Sequence, residues 1–344
     1  MHAFLARGLA LTLGTVVLAS CNDTPTEPAV EESDASTPTL AVAANTWTSR
    51  ADMPGTARGG LTTAVVTTRG QSVLYAIGGR TAEGSTSRVQ AYDVATNTWR
   101  WRAPLPLPAY DMNGAGVING KIYVSGGAYR DKSFRREVFM YDPARNTWTR
   151  KRDMPDDTWG GITGVINNQL YVLTCESEEE CYIDGFGLTL YRYDPATDQW
   201  SFVGISPPQL RRPMGGVVSG KLYFTGVTRE ADLDWVGTLT EYNPATNQWT
   251  RKKGLARARY DGTAASVAAK LYVFGGRQIN PDGTFVGSVR TTSVYDPATD
   301  SWTNKAQMPN MAIGVSANRV FLNWQPRIEV VGGPRPGNNW QYIP

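Results

Sequence analysis

Short runs of β-forming residues, broken by turn signals, recur along this chain, and one stretch shows the pattern in full. Gly114 to Ile118 is small and apolar, Asn119-Gly120 follows, and Lys121 to Ser125 alternates polar with apolar before Gly126-Gly127. Glu137 to Tyr141 is a third such run, Asp142-Pro143-Ala144-Arg145-Asn146 carries turn chemistry, and Trp148 opens a fourth run toward Met154-Pro155. Period-two alternation predicts strands. Asn-Gly is the strongest two-residue hairpin signal, because both positions tolerate positive φ. In the Asp-Pro turn, proline presets φ and the Asp or Asn side chain caps the backbone. The unit therefore predicts four antiparallel strands, with the smallest residues on a strand too crowded for bulky side chains.

The unit repeats. The phrase Tyr-(Asp or Asn)-x-Ala-x-(Asn or Asp)-x-Trp runs from Tyr92 to Trp99, Tyr141 to Trp148, Tyr193 to Trp200, Tyr242 to Trp249 and Tyr295 to Trp302, a period of about fifty residues. Such a period marks a propeller or a solenoid. A sixth copy is divided between the two ends: the chain stops at Tyr342-Ile343-Pro344, and Asn45-Thr46-Trp47 supplies the other half in the correct order. That circular permutation predicts a closed ring. A four-stranded sheet buries little alone, so the recurring Tyr and Trp are read as core that presses blade on blade rather than as a ligand platform.

The paired glycines, the Tyr-Asp-Pro-Ala-Thr turn and the spaced Trp resemble Kelch repeats over residues 45–344. The resemblance implies an all-β fold, a six-bladed Kelch-type β-propeller of four-stranded antiparallel blades, its last blade closed by the N-terminal strand. Two units depart from the pattern: Thr174-Cys175 and Gly226-Val227 stand where the paired glycines belong. The loop after Cys175 is expected to take an unusual path.

Composition adds a location. Arg7, the apolar run Leu9 to Ala19 and Leu18-Ala19-Ser20-Cys21 read as a signal peptide over residues 1–20. The last four residues resemble the bacterial lipobox, which implies lipidation of Cys21 and an exported protein held to a bacterial membrane, periplasmic or at the cell surface, through that lipid only. Residues 21–44, acidic and rich in Thr and Pro, read as a disordered tether. Removing Arg7 and the five acids of residues 22–44 from 34 basic and 31 acidic side chains leaves 33 and 26, a balance of +7 on the folded part. That is too little for a nucleic-acid partner. Cys175 and Cys181 are expected to form a local disulfide in an oxidising compartment. The acidic run between them reads as a solvated loop rather than a cation site.

The single histidine, His2, lies in the signal segment. Its loss excludes copper chemistry of the galactose oxidase kind, histidine-dependent triads and ordinary zinc sites. No glycine-rich phosphate loop precedes a helix, and no cofactor, metal site or catalytic residue is assigned. The loops that reach one rim of the channel carry Arg58, Tyr110, Asp111, Asp157, Trp159, Arg211, Arg212, Arg259, Tyr260 and Asp261 in one set. Arg80, Tyr129, Arg130, Arg135, Arg229, Trp235 and Arg277 belong to the other. Among them Arg58, Arg80, Tyr110, Asp111, Trp159, Arg211, Arg259, Tyr260 and Arg277 are the candidate ligand-binding residues. Guanidinium forks interspersed with rings suit carboxylates, anionic sugars or a protein surface. Arginines at such loop starts can instead bond internally. The reading is a monomeric binding module for a protein or an anionic glycan of the cell envelope. Its alternative is a sugar-directed enzyme resembling the Kelch-type sialate mutarotases, with Asp111, Asp157 or Asp261 as acid or base. A purely architectural envelope component is the third.

Overall fold

The protein is described from a computed structural model covering residues 43–129, 133–175, 187–207, 210–229, 234–311, 313–333 and 338–344. The signal segment, Cys21 and most of the tether lie outside the described residues, as do Arg130, Cys181 and the acidic run before it. Among the described residues, six four-stranded antiparallel sheets form the blades. The specimen unit folds as Ala115–Ile118, Lys121–Ser125, Val138–Asp142 and Thr147–Lys151, close to the runs its sequence predicts. The last blade takes Thr46–Ser49 as its outer strand against Asn339–Ile343, with Trp47 opposite Tyr342. The same Tyr and Trp face each other in the other blades, as Tyr92 with Trp99 and Tyr141 with Trp148.

The repeated phrase works across blades as well as within them. Its Tyr is fully buried, and its Trp rests on that ring at centroid distances from 4.5 to 5.2 Å. The Trp itself is only part-buried, so the tyrosine is the core residue and the tryptophan its rim. The sixth residue of the phrase adopts a left-handed φ in every copy, from 46° at Asp300 to 59° at Asn45. Asn and Asp tolerate that region best among residues with a side chain. Its Oδ1 accepts from the phrase's own tyrosine, as from Tyr92 to Asn97 at 2.6 Å and from Tyr342 to Asn45 at 2.9 Å. It also accepts a backbone N–H of the preceding blade, such as Ala51 N at 2.8 Å or Ala306 N at 2.7 Å. The phrase's Trp donates its indole N–H to a carbonyl of that same segment, Trp99 to Ala51 and Trp47 to Ala306. At the junction of the third and fourth blades the segment takes another path: a bulge at Val203 carries the outer strand on to Ile205.

A second tyrosine completes five of the junctions. Tyr75, Tyr123, Tyr171, Tyr223 and Tyr272, on the second strands, meet the phrase tyrosine of the next blade at 5.6 to 6.1 Å. Ring pairs in such geometry add about 0.5–1.5 kcal/mol beyond their buried area. The closing junction differs: Ile328 pairs with Tyr342 as Leu74 does with Tyr92, so the following residue, Glu329, occupies the tyrosine's place. It is fully buried, accepts from Gln341 Nε2 at 3.0 Å and lies within the field of Arg50, which itself holds Tyr92 Oη at 2.9 Å and the Val94 carbonyl at 2.7 Å.

The paired glycines decide where the second strands stop. Gly78 and Gly79 have φ of 62° and 102°, a conformation that turns the chain out of the sheet, and the strand ends at Ile77. Where Thr174-Cys175 and Gly226-Val227 replace the pair, the second strands run on to Cys175 and to Arg229. The departures from the repeat thus lengthen two strands, while the loop after Cys175 lies outside the described residues. Cys175 is disulfide-bonded.

Candidate functional site

The inner strands line a channel of about 800 Å³ with small residues, among them Gly116, Gly164, Gly216 and Ala264. At one mouth, the segment leading into five of the six inner strands is pinned to the chain leaving a second strand. Gly59 bridges Arg80, Tyr110 bridges Ala128, Trp159 pairs with Cys175, Arg211 with Val227, and Tyr260 with Arg277. Short ladders therefore place the two loop sets side by side, as their order in the chain predicted.

Inside those ladders the mouth is a collar of left-handed residues. Gly60, Asp111, Gly160, Arg212, Asp261 and Gly314 have φ between 39° and 65°. Backbone bonds link neighbours around the rim: Gly60 N donates to Gly314 O at 3.0 Å, Asp111 N to Gly60 O at 2.7 Å and Gly160 N to Asp111 O at 2.9 Å. Glycine suits such a site. Asp111, Arg212 and Asp261 occupy it with charged side chains at about 1–2 kcal/mol of strain each, and strain of that kind concentrates where function requires it.

The three strained residues interact. Arg212 Nη1 lies 2.8 Å from Asp261 Oδ1 and 3.6 Å from Asp111 Oδ2, and Arg277 Nε lies 3.2 Å from Asp261 Oδ2. The Arg212 guanidinium also sits 4.5 Å over the Trp159 ring, which stacks on Phe134 at 5.5 Å. Burial pushes the Asp111 carboxyl above the ordinary aspartate range, and Asp261 reinforces the shift while Arg212, Arg80 and the nearby Trp159 indole oppose it. Arg80 reaches over the Tyr110 ring at 5.4 Å and is otherwise exposed. Among the described residues of this cluster, three guanidiniums surround two carboxylates, one positive charge in excess.

Two candidate residues do not belong to this site. Arg58 is 1% exposed and donates to the Gly78 and Arg88 carbonyls, both at 2.9 Å, and to Gln90 Oε1 at 2.5 Å. Burial, with Arg88 nearby, depresses its pKa to about 10. Arg259 is 3% exposed, donates to the Thr291 and Val273 carbonyls at 3.2 and 3.4 Å, and is likewise depressed to about 10 by burial. Both lie two positions before the left-handed residue and point into the blade, where they donate to carbonyls at the end of the second strand and just before the third. Tyr110 and Trp159 are buried, with Arg80 over one ring and Arg212 over the other. Tyr260 packs against Val227, Ala258 and Ile279 beneath a hairpin. The side chain of Arg211 lies outside the described residues. Arg80, Asp111 and Arg277 remain at the mouth, joined by Arg212 and Asp261. Phe134 and Phe285 escaped the sequence reading; alignment of the positions just before each inner strand, Gly60 against Asp111 and Arg212, was the available signal for the collar.

Two family models match. An Attractin/LZTR1 β-propeller model covers residues 102–333, and a Kelch motif covers residues 63–106. Curated relatives include Kelch-like protein 15 of Danio rerio, 32% identical over 64% of this chain and 37% of the relative. Kelch-like protein 15 of Homo sapiens is 30% identical over 68% of this chain and 40% of the relative. The chain thus spans about two-fifths of the length of these relatives. Kelch-like protein terF of Aspergillus terreus is 27% identical over 65% of this chain and half of the relative. Among solved structures, that titled "Structure of YjhT" superposes with a TM-score of 0.65 at 16% identity, covering 85% of this chain and 94% of the other, a likeness of fold.

Proposed function

We propose, from the premise that this chain belongs to the Attractin/LZTR1 β-propeller family and carries the Kelch motif, that it is a protein-binding module which grips an anionic group of its partner at the collar mouth. The observation that carries the reading is the collar itself: three charged residues held in a strained conformation, with more guanidiniums than carboxylates around them. Arg80 and Arg277 are the exposed arms, and the Asp111–Arg212–Asp261 network orients them. A carboxylate entering here replaces water with charge-assisted bonds to planar forks. The test is fluorescence anisotropy with short labelled peptides that differ only by Glu against Gln. Tighter binding of the Glu series, abolished by Arg80→Ala/Arg277→Ala and weakened by salt, is expected; equal binding of the two series refutes the reading.

An anionic sugar is the second reading, favoured by Asp111, a part-buried carboxyl of raised pKa at the channel mouth that can act as acid or base. NMR of anomer exchange with sialic and uronic acids separates the two: acceleration that disappears in Asp111→Asn identifies the sugar-directed enzyme. Lipid attachment at Cys21, with tethering to a bacterial membrane, is proposed from the segment Leu18-Ala19-Ser20-Cys21 alone. Cys21→Ser should move the protein from the detergent phase to the aqueous phase of a Triton X-114 partition.

A further inference from the structure

Next to the charged mouth stands an apolar arm that the proposed function leaves unused. Arg277–Ile279 and Phe285–Ser288 form a hairpin added to Arg259–Tyr260, in the order Arg259–Tyr260, Arg277–Ile279, Phe285–Ser288. Its turn is internally bonded: Asn280 N to Thr284 O at 3.0 Å, and Asp282 Oδ1 accepting from Thr284 N at 2.8 Å and Thr284 Oγ1 at 2.7 Å. Trp235 of the neighbouring blade braces it, its backbone N–H donating to Pro281 O at 2.8 Å while its indole lies against Gly283. The hairpin is therefore preformed. It nevertheless presents Phe285 at 57% exposure and Val286 at 50%, adjacent apolar residues on the outermost strand of this small sheet, with no Lys or Pro among Phe285–Ser288 to guard the edge.

Arg277 links this arm to the mouth. Its Nε faces Asp261 while its guanidinium carbon lies 5.9 Å over the Phe285 ring, and the side chain is 41% exposed. The separation has a chemical meaning. In an extended chain, residues i and i+2 lie on the same side about 6.6 Å apart. Resting on the reading that the mouth takes an anionic group, we infer that the partner presents an extended segment with an acidic side chain and a large apolar side chain two residues apart. The carboxylate pairs with Arg277, and the apolar group lies on Phe285 and Val286. Charge complementarity selects the first contact, since Arg277 shares the Asp261 carboxylate with Arg212. The exposed apolar pair selects the second, and the unguarded strand edge favours an extended occupant over a helix.

A peptide walk tests this rule. Labelled heptapeptides with blocked termini carry one Glu and one Phe in a Ser/Gly background, with Phe placed one, two, three or four positions from Glu on either side. Anisotropy with the whole chain should show the two-residue spacing binding at least tenfold tighter than the others. Phe285→Ser/Val286→Ser, checked for an unchanged melting temperature, should erase that preference while the Glu requirement persists. A Glu requirement without any spacing preference, or a preference that survives the double substitution, overturns the inference and leaves the anionic mouth standing. Loss of the Glu requirement in the unmodified chain overturns both.

Discussion

Glu329 should make the ring less stable as pH rises through neutrality. It sits where five blades carry tyrosine, has no exposed surface, and has one neutral donor, Gln341, with the charge of Arg50 nearby as its electrostatic support. Its Oε1 has no partner among the described residues. Burial raises its pKa from 4.5 to about 7, against the opposing pull of Gln341 and Arg50. A carboxyl whose pKa is raised in the folded state favours folding in its protonated form. The full benefit is present below the unfolded value and is lost as pH climbs through the folded one. Integrating the two titrations gives a loss of about 2–3 kcal/mol between pH 5 and pH 8. Carboxylates with depressed pKa, such as Asp142, Asp296 and Asp300, act in the opposite sense but below about pH 4, outside this window. Asp111 shares the sign of Glu329, so the comparison must be differential. Urea unfolding of the parent chain and of Glu329→Gln at unit steps from pH 5 to pH 8 provides it. The variant's advantage should grow by about 2–3 kcal/mol across the series. Two parallel profiles would refute the assignment of this carboxyl as a buried, titrating member of the closing seam.

Other outcomes follow from the buried network. Arg58→Met strips donors from the Gly78 and Arg88 carbonyls and from Gln90, and should cost about 3 kcal/mol in chemical unfolding. Arg277→Ala, at the half-exposed mouth, should stay within about 0.5 kcal/mol of the parent in the same assay. Asn45→Ala loses acceptors for Tyr342 Oη and Ala306 N and puts a Cβ residue without side-chain compensation at φ 59°, so it should cost about 2–3 kcal/mol. Asn45→Gly, which removes the strain but not the lost bonds, should recover about 1 kcal/mol of that in parallel thermal melts. Removing the chain through Ser49 should lower the melting temperature further than either, because the last blade then lacks its outer strand and Trp47.

The sequence alone determined the parts that repetition carries. Period-two alternation, hairpin dipeptides and the split eight-residue phrase place the strands, the blade pairing and the closure of Trp47 on Tyr342, because each rests on local backbone preference or on a spacing repeated six times. They do not separate Arg58 and Arg259 from Arg80 and Arg277. All four are arginines at loop starts, and whether such a side chain turns into the blade or toward the channel depends on where the folded strands place the carbonyls that accept from it. Nor do they show that Glu329 substitutes for a tyrosine, since the last blade's second strand lacks the regular motif. The collar of Asp111, Arg212 and Asp261 likewise emerges only with the tertiary structure. Its members lie on separate blades, far apart in the chain, and only closing the ring brings their charges within a few ångströms of one another.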